Sequence, residues 1–119
     1  MVLQIYGEGQ QIWHMGNEWQ AKAYVTNFAG HAQGDDISIV LALRQAKRGL
    51  ANARAIIPSL DQPWQRKNVA RVIRHFITYK TSLERTVSTW PQERMRQAQE
   101  GTYGYRLGVN GERIRARYY

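Results

Sequence analysis

The sequence predicts an α+β fold in a single domain spanning residues 1–119, and three observations carry that prediction. Apolar and polar residues alternate in the early part of the chain, apolar residues recur every three or four positions through its centre, and alternation returns at the C-terminal end. With 119 residues, of which 43% are hydrophobic, there is material for one core and enough apolar area to offset the entropy of ordering the chain.

The first element expected is an antiparallel β-meander. Short strands at residues 2–6, 11–14 and 19–26 are separated by Gly7-Glu8-Gly9 and by Gly16-Asn17, residues that tolerate the positive φ of tight turns. In the last of these strands Trp19, Ala21, Ala23 and Val25 alternate with Gln20, Lys22, Tyr24 and Thr26, and Tyr6, Trp13, Trp19, Tyr24 and Phe28 are candidates for the sheet side of the core. Residues 28–34 contain two glycines and no period, which reads as a loop.

A two-helix hairpin follows. From Asp36, with Asp35 or Asp36 as cap, Ile39, Leu43, Ala46, Leu50, Ala53 and Ile57 share one helical stripe that Pro58 ends. Gly49 interrupts this helix at a cost of about 1 kcal/mol relative to Ala, which suggests close packing against another element. Pro63 suits the first turn of a second, longer helix, in which Val69, Val72, Phe76, Tyr79, Leu83, Val87 and Trp90 keep the same spacing and Ile73 widens the stripe. Trp90-Pro91 breaks that helix. Thr89 and Gln92 have the spacing of a capping box for a short third helix through Glu100, stopped by Gly101. Residues 103–119 read as a β-hairpin around Asn110-Gly111, able to pair with the first sheet.

The formal charge of +8 is unevenly distributed. Over residues 1–36 Lys22 faces Glu8, Glu18, Asp35 and Asp36, so the basicity belongs to the rest of the chain. Between Ile37 and Leu83 only Asp61 opposes Arg44, Lys47, Arg48, Arg54, Arg66, Lys67, Arg71, Arg74 and Lys80. Such a field attracts polyanions, and self-repulsion of the unopposed charge is relieved when one binds. Arg44, Lys47 and Arg48 lie at spacings that let them meet one anionic surface, and so do Lys67, Arg71 and Arg74. In the last strand Arg113, Arg115 and Arg117 share one face. Their spacing of about 6.5 to 7 Å matches successive phosphates of an extended single strand. Arg106 adds a further cation, and Tyr103, Tyr105, Tyr118 and Tyr119 add rings on which unpaired bases could stack.

The expected function is therefore nucleic-acid binding, DNA or RNA, through the phosphate backbone. The composition is of a kind common among small accessory proteins of viruses and mobile elements. A rival expectation is a structural or inhibitory module that docks on an acidic protein partner or forms a homo-oligomer. A third is a small metal-dependent nuclease built on His31, Asp35 and Asp36. No catalytic residue, metal site or cofactor is assigned, because His14, His31 and His75 stand apart and helix capping explains the two aspartates more simply. Gly7-Glu8-Gly9 lacks the following helix and lysine of a phosphate loop. The longest apolar run, residues 39–43, falls far short of the roughly 20 residues of a membrane span, and Gly7 to Gln10 interrupt any signal-like start. With no cysteine present, a cytoplasmic location is expected.

Overall fold

The computed structural model describes residues 11–32, 34–107 and 113–115, with the backbone alone described from residue 103 onward. Its architecture is helical, not α+β. A 3₁₀ turn, Ile12–His14, precedes α1 (Glu18–Ala29). α2 (Asp36–Ile56) leads through a second 3₁₀ turn, Ile57–Ser59, to α3 (Pro63–Val87), and α4 (Gln92–Gly104) follows. After α4 come β1 (Tyr105–Leu107) and β2 (Arg113–Arg115), an antiparallel pair too short to form a layer of the fold.

The β-meander is overturned. The expected strand at 11–14 is the 3₁₀ turn, and the one at 19–26 lies inside α1; the one at 2–6 is outside the described residues. The alternation of Ala21, Ala23 and Val25 competes with a helical stripe of Ala21, Tyr24, Val25, Phe28 and Ala29, and the stripe is what becomes buried. Asn17 sets the start of α1 by accepting a 2.8 Å bond from the Gln20 amide, while the Gln20 side chain accepts one of 2.9 Å from the Gly16 amide. A strand register would have turned Trp19 inward with Ala21. The helix turns it away, leaving it 77% exposed.

α2 and α3 occupy the stretches that their periodicity indicates and run antiparallel, Gly49 lying against Phe76 and Leu43 packing in one cluster with Leu83. α1 lies along the same pair. The Phe76 ring meets Phe28 edge-on at 5.7 Å between centroids and Tyr24 at 6.2 Å, which centres the core where the three helices meet. Gly49 is required by this geometry, because a Cβ there would stand 2.3 Å from Cζ of Phe76. Beyond Gly30, whose φ of 90° suits glycine, the Tyr79 hydroxyl donates to the Gly30 carbonyl at 2.6 Å and accepts from the Ala32 amide at 3.2 Å. One phenol thus pins the loop between α1 and α2.

The third expected helix also needs correction. Thr89 spends its hydroxyl on the Thr86 carbonyl, so no Thr89–Gln92 capping box forms, and the Pro91 carbonyl accepts from Met95 instead. Nor does Gly101 stop the helix, which runs on to Gly104. Gly101 is where α4 presses on α2, with a Cβ there falling 2.5 Å from Cδ1 of Ile37.

Candidate polyanion-binding surface

Packing sorts the basic residues into two groups. In the first, the cations are engaged within the fold. Glu18 at the start of α1 receives three side chains from α3: Arg74 at 2.7 Å and Arg71 at 3.2 Å on one carboxylate oxygen, and His75 at 2.6 Å on the other. The His75 hydrogen bond, joined by that of Arg71 and by the charge of Arg74, outweighs desolvation and holds the Glu18 carboxyl below its ordinary value. Arg71 also donates to Asn68, which in turn donates to the Trp13 carbonyl. Arg44 is half-buried and donates to the Thr102 hydroxyl at 3.2 Å. Arg66 donates to the Leu60 carbonyl, Lys80 pairs with Glu84, and Arg94 binds both carboxylate oxygens of Asp36 at 2.8 and 2.9 Å. Arg96 lies between Glu93 and Glu100.

The second group is open. Lys47, Arg48 and Arg54 project from the outer face of α2, exposed and with no hydrogen-bond or ion-pair partner among the described residues. Lys47 and Arg54 lie two turns apart, about 10 Å along the axis, with exposed Ala51 between them and exposed Arg48 and Ala55 flanking. No acidic residue occurs from Ile37 to Leu60 to offset them. Lys67 and Arg85 on α3 and Lys22 on α1 are likewise exposed, but singly.

Of the expected helical candidates, then, Lys47, Arg48 and Lys67 are available, whereas Arg44, Arg71 and Arg74 already serve the fold. Arg54 belongs with Lys47 and was missed as a site residue, although its seven-residue spacing from Lys47 is a usable signal. Tyr103 lies in α4, not in a hairpin strand. Arg106, Arg113, Arg115 and Tyr105 lie on the β1–β2 pair, whose register sets Tyr105 opposite Arg115, Leu107 opposite Arg113 and Arg106 opposite Ile114. Arg117, Tyr118 and Tyr119 fall outside the described residues.

The residues of the nuclease reading have structural work. Asp35 caps α2 by accepting from the Ser38 amide at 2.8 Å, Asp36 is bound by Arg94, and His31 is exposed on the preceding loop. Among the described residues no group of three histidine or carboxylate side chains is placed to hold a metal ion. A small pocket at the core is lined by Tyr24, Phe28, Gly49 and Asn52 and holds no titratable pair or metal-ligating group. No described helix is long and apolar enough to cross a membrane. No protein-family model, characterised protein or solved structure matches the chain.

Proposed function

We propose that this protein binds nucleic acid through phosphate contacts made by Lys47, Arg48 and Arg54 on α2 together with Arg106, Arg113 and Arg115 on the β1–β2 pair. The observation that carries the reading is the contrast between the two groups of cations. The ion pairs of Glu18, Asp36, Glu84, Glu93 and Glu100 are all made with cations of α3 or α4, and the outer face of α2 keeps its full charge. A face that presents guanidinium and ammonium groups over two turns, spaced by alanines that admit a backbone closely, suits a polyanion whose charges repeat. The absence of cysteine accords with the reducing cytoplasm, the compartment assigned to this activity.

Fluorescence anisotropy with labelled single-stranded and duplex oligonucleotides over a salt series tests the proposal. Binding is expected, with log K falling linearly in log salt by roughly 0.7 to 0.9 for each phosphate contacted. No binding at low salt, or binding indifferent to salt, contradicts it.

One observation favours a second reading, docking on a protein partner. Trp19 stands opposite the buried stripe of α1, and exposed tryptophans of this kind are enriched among interface anchors. Under that reading Trp19→Ala abolishes self-association seen by light scattering, or capture of a purified acidic partner, while oligonucleotide binding is unchanged.

A further inference from the structure

We infer that Arg71, Arg74 and His75 of α3 form a second anion site, a clamp for a phosphomonoester such as the 5′ end of a nucleic acid, which Glu18 occupies in the free protein. The clamp stands apart from the α2 face, and only the choice of a nucleic-acid end as its source rests on the nucleic-acid reading. Three donors from adjacent turns of one helix converge on a single carboxylate. Arg71 and Arg74 share one oxygen at 3.2 and 2.7 Å, and His75 Nε2, which carries its proton when it faces a carboxylate, donates to the other at 2.6 Å. The carboxylate thus has one oxygen fewer than the cluster has donor side chains. A phosphomonoester offers three terminal oxygens, one for each, and arginine forks match their geometry.

The occupant is held less firmly than the clamp. The Glu18 side chain is 60% exposed in the first turn of α1, whereas those of Arg71 and His75 are only 17% and 23% exposed. Arg71 is also oriented without Glu18, through its 3.0 Å bond to Asn68, which is anchored in turn on the Trp13 carbonyl. Glu18 can therefore swing into solvent while the two covered donors keep their places. Charge sets the threshold for replacing it. Its donors hold the Glu18 carboxyl below its ordinary value, so it carries a full negative charge at neutral pH. An internal phosphodiester carries the same single charge and gains nothing over a tethered competitor, whereas a phosphomonoester carries about −1.5 to −2 at pH 7. Lys67, exposed one turn before Arg71 and about 6 Å away along the axis, adds a cation for the phosphodiester next to the terminal group.

The test titrates the wild type with inorganic phosphate and with one 3′-labelled single-stranded oligonucleotide that carries either a 5′ phosphate or a 5′ hydroxyl. Affinity is followed by anisotropy, and the Arg71 Nε–Hε and His75 ring resonances by NMR. The 5′ phosphate is expected to tighten binding about tenfold and to move both resonances, as inorganic phosphate does, while the 5′-hydroxyl strand leaves them in place. Arg71→Gln combined with Arg74→Gln is expected to abolish the preference for the 5′ phosphate. Glu18→Gln works in the opposite direction, a gain that misfolding does not imitate. It is expected to tighten inorganic phosphate binding about tenfold, whereas Asp61→Asn, which changes the charge equally, leaves it unchanged. Inorganic phosphate that moves both resonances without any gain from the 5′ phosphate keeps the clamp and assigns it to a small free phosphomonoester. Resonances that no phosphate moves in wild type or Glu18→Gln, a preference that survives loss of both arginines, or equal gains in Glu18→Gln and Asp61→Asn overturn the inference while leaving the α2 site intact. Binding of neither strand defeats the nucleic-acid reading itself, and the clamp then stands or falls on inorganic phosphate.

Discussion

Two stretches that look equally basic on paper, residues 44–54 and residues 66–74, meet different fates in the folded chain. On α3, Arg71, Arg74 and His75 are gathered by Glu18, a residue more than fifty positions away that α1 carries onto their flank. On α2, Lys47, Arg48 and Arg54 find no such carboxylate among the described residues, because the side of α2 that carries them faces away from the core and α4, which packs on the first part of α2, spends its acidic residues on its own Arg96. Net charge therefore identifies a basic protein. Which part of it can hold a phosphate depends on where the acids of distant segments are delivered.

The largest expected effect separates the two regions directly. Replacing Lys47, Arg48 and Arg54 by glutamine should weaken oligonucleotide binding on the order of a hundredfold at low salt and reduce the salt slope by about 2 to 3. The Arg71→Gln, Arg74→Gln pair should shift affinity only a few-fold, so equal losses in the two variants would erase the distinction.

Next comes the seam that holds both regions in place. Gly49→Ala should lower stability by about 1 to 3 kcal/mol in urea unfolding, because its Cβ collides with the Phe76 ring. An open helical site would instead gain nearly 1 kcal/mol from the same change. A stabilised variant would mean that α2 and α3 are not packed as closely as described.

A smaller effect is expected at Glu18. Glu18→Gln releases Arg71 and Arg74 and should tighten oligonucleotide binding a few-fold, beyond the gain from Asp61→Asn, which changes the charge equally at an exposed site with no described partner. Equal gains from the two would show that Glu18 acts only through net charge.

The smallest effects are those of pH. Hydrogen bonds from His75, Arg94 and Arg96 lead the causes that hold the carboxyls of Glu18, Asp36 and Glu93 below their ordinary values of 4.5, 3.8 and 4.5. Groups depressed in the folded state contribute stability that is present above those values and lost as pH falls through the folded ones. The thermal midpoint should thus begin to drop below about pH 4.5, and less so in Glu18→Gln. At the alkaline end burial pushes the Tyr24 phenol up to about 12, so its contribution is complete below pH 10 and lost as pH rises towards 12. A midpoint flat from pH 5 to 3 would show that the Glu18 cluster contributes nothing to the folded state.

Much of the helical core was legible in the sequence, since Val69, Val72, Phe76 and Leu83 on α3 and Leu43, Ala46, Leu50 and Ala53 on α2 repeat at intervals that only a helix brings to one side. α1 was misread because a stretch rich in alanine and aromatic residues satisfies both periods at once. The deciding signal is local, an Asn17 cap with Gln20 three positions on, and it is masked because a Gly16-Asn17 pair equally suits a turn between strands. Gly101 misled for a related reason, because glycine marks both helix ends and close helix contacts, and only the partner, Ile37, distinguishes them. The candidate site was half legible. Exposure of Lys47 and Arg48 follows from the α2 stripe, whereas the capture of Arg71 and Arg74 by Glu18 and of Arg44 by Thr102 arises from tertiary contacts that no local pattern encodes.

The central claim is that the outer face of α2 is the phosphate-binding surface, and amide chemical-shift mapping during titration with a single-stranded oligonucleotide tests it most directly. The account predicts that shifts concentrate at Lys47, Arg48, Ala51 and Arg54 and along β1 and β2, with little change at Arg71, Arg74 and His75. Shifts centred on α3, or spread evenly over the molecule, would contradict it.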